Sequence, residues 1–148
     1  MGEAIDFELR DHHNEVLALS GESKGRKVLL SFHPLAWTPV CRKQMMDLEA
    51  SFEELESLGV LAVGISVDAW PSKHAWAREM GTRRLRLLSD FWPHGAVAGS
   101  LGLFRERDGI SERANVLLDE RLREVWRKVY PISEAPDLRE VLEAIRGL

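Results

Sequence analysis

The apolar residues of this chain change their spacing along its length, and near the N-terminus the spacing is that of β-strands. Residues 5–9 and 15–19 alternate between apolar and polar side chains, or nearly so, on either side of the polar segment 11–14. This pattern predicts a hairpin. After a loop over residues 21–25, the run Lys27–Phe32 is almost continuously apolar and Pro34 follows it. Such a run indicates a buried strand, which the proline ends because it cannot donate to the hydrogen-bond ladder.

A helical period begins at Cys41. The apolar residues after it recur at spacings of three and four, with charged residues between them, and they are Met45, Leu48, Phe52 and Leu55. The pattern predicts one amphipathic helix that ends at Gly59. The next apolar run, residues 60–67, predicts a second buried strand. Strand, helix and strand in this order indicate a right-handed parallel crossover.

The second half of the chain predicts further elements of both kinds. They are a helix opened by Pro71 that ends at Gly81, a short strand over 85–88, one or two helical turns within 93–101, an antiparallel hairpin of 114–118 with 122–129, and a last helix with Leu138, Val141, Leu142 and Ile145 on one face. Parallel units therefore come first, and an antiparallel hairpin with a helix comes last.

This order of elements predicts an α/β protein with a mixed central sheet and helices on both faces. It is the order of the thioredoxin-like fold, extended at the N-terminus by the hairpin. Neither a linker nor an internal repeat interrupts the 148 residues, of which 45% are hydrophobic. We therefore expect residues 1–148 to form a single domain.

Charge and hydropathy indicate which classes of binding partner and which cellular compartment to expect. The 20 basic residues are interspersed with 24 acidic ones, for a net charge of −4, so a nucleic acid partner is not expected. The longest apolar stretch, residues 59–67, is too short to span a bilayer, so no membrane partner is expected. The first residues lack the basic and apolar regions of a signal peptide, and the expected compartment is the cytosol.

Cys41 is the only cysteine of the chain, which excludes an intramolecular disulfide. It lies where a strand has ended and a helix begins, so its sulfur is expected to face the unpaired N–H groups of the first helical turn. These groups and the helix dipole favour the thiolate, which is the nucleophilic form. Without further context, a lone cysteine is more often a small inert core residue.

The residues around Cys41 resemble the peroxiredoxins, the AhpC/TSA family, whose signature P-x-x-x-[TS]-x-x-C is matched by Pro34, Thr38 and Cys41. The resemblance extends over nearly the whole chain, through the segments 64–68, 87–95 and 110–114. The last of these supplies Arg113 at the position of the family's arginine. The amino-acid sequences of segments 34–38 and 89–95 are most similar to those of the one-cysteine group related to alkyl hydroperoxide reductase E.

The resemblance implies a role for each of these residues. The Cys41 thiolate attacks a hydroperoxide substrate, Arg113 polarises the peroxide and holds the thiolate, Thr38 hydrogen-bonds the sulfur and the substrate oxygen, and Pro34 shields the sulfur. Gln44 stands where a Cys-x-x-Cys motif has its second cysteine, so an external thiol or redoxin has to restore Cys41. The resemblance also implies a homodimer. The departures from the family are His33, where an aromatic residue is more common, and Trp37, where phenylalanine is more common.

Other interpretations remain at this stage. Thr38 is also a typical helix cap, and a lone arginine such as Arg113 is usually solvated or ion-paired. His33 either favours the thiolate as an imidazolium or is a structural histidine. The histidines show no metal-ligand spacing and no phosphate loop follows a strand, so neither a metal nor a cofactor is expected. The alternative functions are a non-catalytic redox sensor or binding protein on the same scaffold and, more weakly, a structural domain with an inert cysteine.

Overall fold

A seven-stranded mixed sheet organises the chain in this computed structural model, which describes residues 3–148. The first two residues of the predicted domain, 1 and 2, lie outside the described residues. The strands are β1 (Glu8–Asp11), β2 (Val16–Ala18), β3 (Lys27–Phe32), β4 (Val60–Ser66), β5 (Arg86–Ser89), β6 (Phe104–Arg105), β7 (Ile110–Ser111), β8 (Arg113–Leu118) and β9 (Glu124–Tyr130). The helices are α1 (Leu19–Ser23), α2 (Pro39–Ala50), α3 (Phe52–Ser57), α4 (Trp70–Met80), α5 (Ala96–Ser100) and α6 (Leu138–Arg146).

The order of strands across the sheet is β2-β1-β5-β4-β3-β8-β9, and β6 pairs with β7 in a separate two-stranded ribbon. β3, β4 and β5 are parallel to one another, as their intervening helices require. β1 joins this core antiparallel to β5, and β8 joins it antiparallel to β3. The predicted N-terminal hairpin and the predicted C-terminal hairpin therefore extend the parallel core at its two edges.

Apolar side chains alternate between the two faces of the sheet and form one core on each. In β3, Leu29 packs on one face with residues of α2, α3, α4 and α6, including Cys41 and Trp76. Its neighbours Val28 and Leu30 pack on the opposite face with residues of α5 and of the start of α1. The predicted α/β fold, with a mixed sheet and helices on both faces, is confirmed. No helix within residues 3–148 is both long and apolar enough to cross a bilayer.

Three local features differ from the sequence-based prediction. The helix expected to run from Cys41 to Gly59 is divided at Ser51, whose φ of −97° and ψ of 6° end α2 before α3 begins. Serine competes for backbone hydrogen bonds and favours such ends. The short α1 occupies part of the segment expected as a loop, and the β6–β7 ribbon was not predicted. Both are too short to show a hydrophobic period.

A close approach of α2 to β4 fixes the base of the candidate site. A Cβ atom at Gly64 would lie 2.5 Å from Met45 Sδ and 3.5 Å from His33 Cε1. A larger residue would therefore have to displace the end of the Met45 side chain, since the interior is close-packed. Glycine at this position leaves room for that side chain, which belongs to the helix that carries Cys41.

Candidate active site

Cys41 is the third residue of α2 and has 0% of its surface exposed. Pro39 opens the helix at its first position, where its missing N–H is no loss. The N–H of Arg42 donates to the carbonyl of Thr38 at 2.9 Å, so the N–H of Cys41 lies within the turn that precedes the regular ladder. The sulfur therefore lies at the positive end of the helix, as the sequence predicted. It is also shielded from solvent, which the sequence did not predict.

The sheet register brings Arg113 to this sulfur. Ala114 of β8 pairs with Phe32, the last residue of β3, so Arg113 lies beside the point where the chain leaves β3 for the site. The Nη1 of Arg113 donates to the Sγ of Cys41 at 3.3 Å, although the two residues are 72 positions apart in sequence. The predicted pair of Cys41 and Arg113 is thus in direct contact.

The guanidinium is fixed by neutral acceptors. Its Nε and Nη2 donate to the carbonyl of Ile132 at 3.1 and 2.7 Å, and Nη1 also donates to Gln44 Oε1 at 2.7 Å. The amide of Gln44 is oriented by donating to Ser31 Oγ at 2.9 Å and to the Phe32 carbonyl at 3.0 Å. Sequence reasoning missed this role of Gln44, and the signal was its position three residues after Cys41, on the same helix face.

Arg113 has only 2% of its surface exposed. Within residues 3–148 no carboxylate forms an ion pair with it; the salt bridges of this part of the chain lie elsewhere. A buried guanidinium without a counter-ion is costly. The sulfur of Cys41 is the group in contact with this guanidinium that can become an anion.

Thr38 and Pro34 lie on the loop that joins β3 to α2. The hydroxyl of Thr38 donates to the carbonyl of Leu35 at 2.8 Å and does not cap α2 with its side chain. Among the described residues, no hydrogen bond joins this hydroxyl to the Cys41 sulfur. Its proton is committed to the loop, whereas its oxygen keeps lone pairs that can accept a hydrogen bond. Pro34 is buried at the start of the same loop.

Side chains from the neighbouring loop and helix hold this loop in an unusual conformation. Trp37 has a φ of 72°, a region that non-glycine residues seldom adopt, and its side chain is 51% exposed. Its indole Nε1 donates to Ser72 Oγ at 3.1 Å, and the N–H of Ala36 donates to Asp68 Oδ2 at 2.8 Å. The loop before Cys41 is therefore tied to the segment that follows β4.

A fully buried polar pair lies at the base of the site. The Nζ of Lys73 lies 3.2 Å from His33 Nε2, and it also donates to Ser66 Oγ. Burial, followed by the charge of Lys73, lowers the pKa of His33 well below its ordinary value, so the ring is neutral at pH 7. The structure therefore favours the structural interpretation of His33 over the imidazolium. Lys73 was not singled out from the sequence, where it has the appearance of an ordinary helix-surface lysine.

A thioredoxin-like sheet with one cysteine in the first turn of a helix and a buried arginine against its sulfur defines a class, the thiol-dependent peroxidases. The chain matches the AhpC/TSA family over residues 2–125. The protein belongs to this family, the peroxiredoxins, and its single cysteine fits the one-cysteine mechanism.

Individual relatives agree with this assignment. Alkyl hydroperoxide reductase E of Mycobacterium tuberculosis is 40% identical over 116 residues, which cover 78% of this chain and 75% of the relative. The putative peroxiredoxin bcp of Haemophilus influenzae is 37% identical over 125 residues, covering 80% of this chain and 77% of the relative. The solved structure of peroxidoxin BcpB from Mycobacterium tuberculosis has a TM-score of 0.86 and 25% identity, covering 99% of this chain and 96% of that chain. The reduced 2-Cys peroxiredoxin of Plasmodium vivax has a TM-score of 0.88 and 25% identity, covering 97% and 78%.

Proposed function

We propose that this chain reduces hydrogen peroxide and organic hydroperoxides at Cys41 and that an external thiol then restores the cysteine. The observation that supports the proposal most strongly is the 3.3 Å contact between Arg113 Nη1 and the Cys41 sulfur. It places a cation on the group that must be an anion to react. Membership of the peroxiredoxin family supports the same chemistry.

In the proposed first step, the Cys41 thiolate attacks one oxygen of the hydroperoxide in line with the O–O bond. A sulfur–oxygen bond forms and the O–O bond breaks, so that the sulfur loses two electrons and the peroxide gains them. The cysteine becomes a sulfenic acid, and the departing alkoxide or hydroxide takes a proton to leave as alcohol or water. Arg113 meets the negative charge that moves from sulfur to the leaving oxygen during the step.

Thr38 and Pro34 complete the proposed site. The Thr38 oxygen accepts the hydrogen of the hydroperoxide, because its own proton is already donated to the Leu35 carbonyl. This directs the peroxide along the line of attack. Pro34, buried at the head of the same loop, keeps bulk water from the sulfur.

Access to the sulfur requires motion, since Cys41 has no exposed surface in this reduced state. The loop 33–38 covers the start of α2 and is held by side-chain contacts with Asp68 and Ser72. We propose that the loop opens locally to admit the peroxide and closes again to exclude water. Closures of this kind occur on microsecond to millisecond timescales in other enzymes.

The second half of the cycle depends on an external reductant. The chain contains no other cysteine, so the sulfenic acid is attacked by a small thiol or by a redoxin. A mixed disulfide forms with release of water, and a second thiol then displaces Cys41 as the reduced thiolate. The reductant leaves as a disulfide, so that two electrons enter for each peroxide reduced.

Single-turnover oxidation tests the proposed function. Trp37 lies four residues before Cys41 and is half-exposed, so its fluorescence is a reporter of the state of the site. On rapid mixing with one equivalent of hydrogen peroxide or an organic hydroperoxide, we expect a fluorescence change far faster than the oxidation of a free thiol at the same pH. With the organic hydroperoxide, alcohol and trapped sulfenic acid should form in equal amounts; with hydrogen peroxide the product beside the sulfenic acid is water.

The alternative, a redox sensor or binding protein that does not remove peroxide in bulk, predicts a different outcome. Its Cys41 would oxidise no faster than a free thiol, and a panel of small thiols and redoxins would support no turnover. Rapid oxidation together with turnover on at least one reductant supports the peroxidase. Slow oxidation of the folded protein would contradict it.

We further propose a homodimer, formed through aromatic side chains near the site. Trp92 is 81% exposed and Phe91 is half-exposed, and with Trp70 they line a cleft of about 470 Å³ that also contacts Val16. An exposed apolar patch of this kind is typical of an interface.

Trp92→Glu is expected to convert the dimer to a monomer in sedimentation velocity, whereas Val129→Glu, on the exposed edge strand β9, leaves the mass unchanged. A monomeric parent protein would contradict the proposal.

The proposed cellular compartment follows from the redox chemistry of Cys41. A thiol that must return to the reduced state after each turnover belongs in a reducing compartment, and we propose the cytosol. We also propose that residues 1–148 act as a single domain. The central sheet draws strands from both halves of the chain, which supports this view.

A further inference from the structure

Lys73 is a lysine without any exposed surface; its residue is 0% accessible. It lies in α4, one turn before Trp76, and its Nζ is held between Ser66 Oγ and His33 Nε2. Both partners are neutral, and the Ser66 hydroxyl in turn donates to Asp68 Oδ2 at 2.6 Å. Since burial of an ammonium group is costly, lysine is rarely found in such a position without an ion pair. Within residues 3–148, no carboxylate is close enough to Lys73 for a direct salt bridge.

The charges around Lys73 come from several elements. Burial lowers its pKa to about 7, and the nearby negative groups that oppose this fall are Asp68, Cys41 and Asp90. They belong to the loop after β4, to α2 and to the segment after β5. The neutral neighbour His33 directly follows β3, and His12, which directly follows β1, has its pKa lowered to about 4 by burial first, with Lys73 among the smaller causes.

Buried side chains connect the surroundings of Lys73 with those of the Cys41 sulfur. The ring of His33, which contacts Lys73, lies 5.4 Å from the ring of Trp76. Trp76 belongs to the same apolar cluster as Cys41 and Met45. Met45 and His33 also lie close to each other, because both side chains border the position that a Cβ atom at Gly64 would occupy. Water and salt therefore do not screen Lys73 from Cys41 as they screen a surface charge, and the field of the ammonium reaches the sulfur through a medium of low polarity.

We propose that Lys73 is a positioning residue of the peroxidase site, whose buried ammonium stabilises the Cys41 thiolate in addition to the direct contact of Arg113 with the sulfur. The assignment to a peroxidase site rests on the proposed function. The coupling between the charges of Lys73 and Cys41 does not depend on whether peroxide is reduced. Lys73 does not touch the substrate or the reacting atoms. It acts through its charge on the nucleophile.

The sign of the coupling follows directly. A protonated Lys73 favours the thiolate, and loss of its proton as pH rises removes that support. By reciprocity, the thiolate favours protonated Lys73 to the same extent, so the two groups titrate as a pair. Arg113 remains charged throughout and contributes a constant field. Removal of the Lys73 charge is therefore expected to move thiolate formation to higher pH.

The test is a pH titration of the thiolate absorbance in the ultraviolet, with the Cys41→Ser form of each variant as its blank. Lys73→Met keeps the length of the side chain and removes the charge. It is expected to shift the midpoint to higher pH by about one unit, which is a tenfold loss of thiolate on the acid side of the transition. Lys43→Met, which removes an exposed charge from α2 only two residues after Cys41, is the matched control and is expected to titrate as the parent does. A Lys73→Met midpoint equal to that of the parent would overturn the proposal.

A second measurement needs no change at Lys73 and so does not depend on that variant folding. The carbon next to Nζ is followed by nuclear magnetic resonance against pH in the parent protein and in Cys41→Ser. The Lys73 signal is expected to titrate far below the exposed lysines, and at lower pH in Cys41→Ser than in the parent. Identical titration in the two proteins would overturn the coupling. Neither experiment uses peroxide, so failure of the proposed peroxidase activity would be seen separately in the single-turnover assay.

Discussion

Arg113→Gln is expected to lower the rate constant for oxidation of Cys41 by hydroperoxide by about 10²–10³-fold, the usual effect of removing one donor from a site of developing negative charge. In the parent protein the guanidinium contacts the sulfur at 3.3 Å and is aimed there by the Ile132 carbonyl and Gln44. Glutamine keeps polar atoms in the space but supplies no positive charge. Both the thiolate and the leaving oxygen then lose their cation.

Two further variants define this prediction. Arg113→Lys keeps the charge, but a single ammonium cannot hold the Ile132 carbonyl through two nitrogens and reach the sulfur as well, so we expect only partial recovery. Arg127→Gln is the control, because Arg127 also donates to a carbonyl, that of Leu101, but it is only partly buried, pairs with Glu124 and lies on the neighbouring strand β9. Rapid-mixing fluorescence gives the rate constants, and thermal unfolding shows whether each variant is folded. A folded Arg113→Gln protein that oxidises at the parent rate would show that the contact has no catalytic role.

The long elements of the fold were predictable because their hydrophobic pattern is unambiguous. The strand Lys27–Phe32 has the predicted bounds, and the predicted run 60–67 contains β4, since both strands are buried on two faces. Helix α4 begins at Trp70, one residue before the predicted start at Pro71, and it is terminated as predicted by Gly81, which has the positive φ expected of a helix terminator. The break at Ser51 was not predictable, because the apolar period continues across it while the backbone does not.

Some residues of the candidate site were also predictable from a local pattern, and others were not. Cys41, Thr38 and Pro34 are close in sequence, so one local motif identifies all three. Arg113 reaches the sulfur only because β8 pairs with β3 in one register, and a single residue slip would turn its side chain to the other face. Only the resemblance to a family could identify it beforehand.

Gln44 and Lys73 were missed for a common physical reason. Both are polar residues in amphipathic helices, where a sequence pattern assigns polar residues to the solvent face. In the structure both are buried, and each is held by groups at the carboxyl ends of β3 and β4. The information that places them is the packing of α2 and α4 on the sheet, which no local pattern contains.

The central claim, that the sulfur of Cys41 is the group that reduces peroxide, is tested most directly by peroxide consumption in Cys41→Ser with a reductant that supports the parent protein. Serine has nearly the same size, but its hydroxyl is neither an anion near neutral pH nor able to form a sulfenic acid. Met46→Leu, which removes an exposed sulfur from the same helix, is the matched control. We predict that Cys41→Ser consumes peroxide no faster than the reductant alone, a loss of several orders of magnitude, while Met46→Leu keeps the parent rate. Turnover by folded Cys41→Ser at the parent rate would contradict the account.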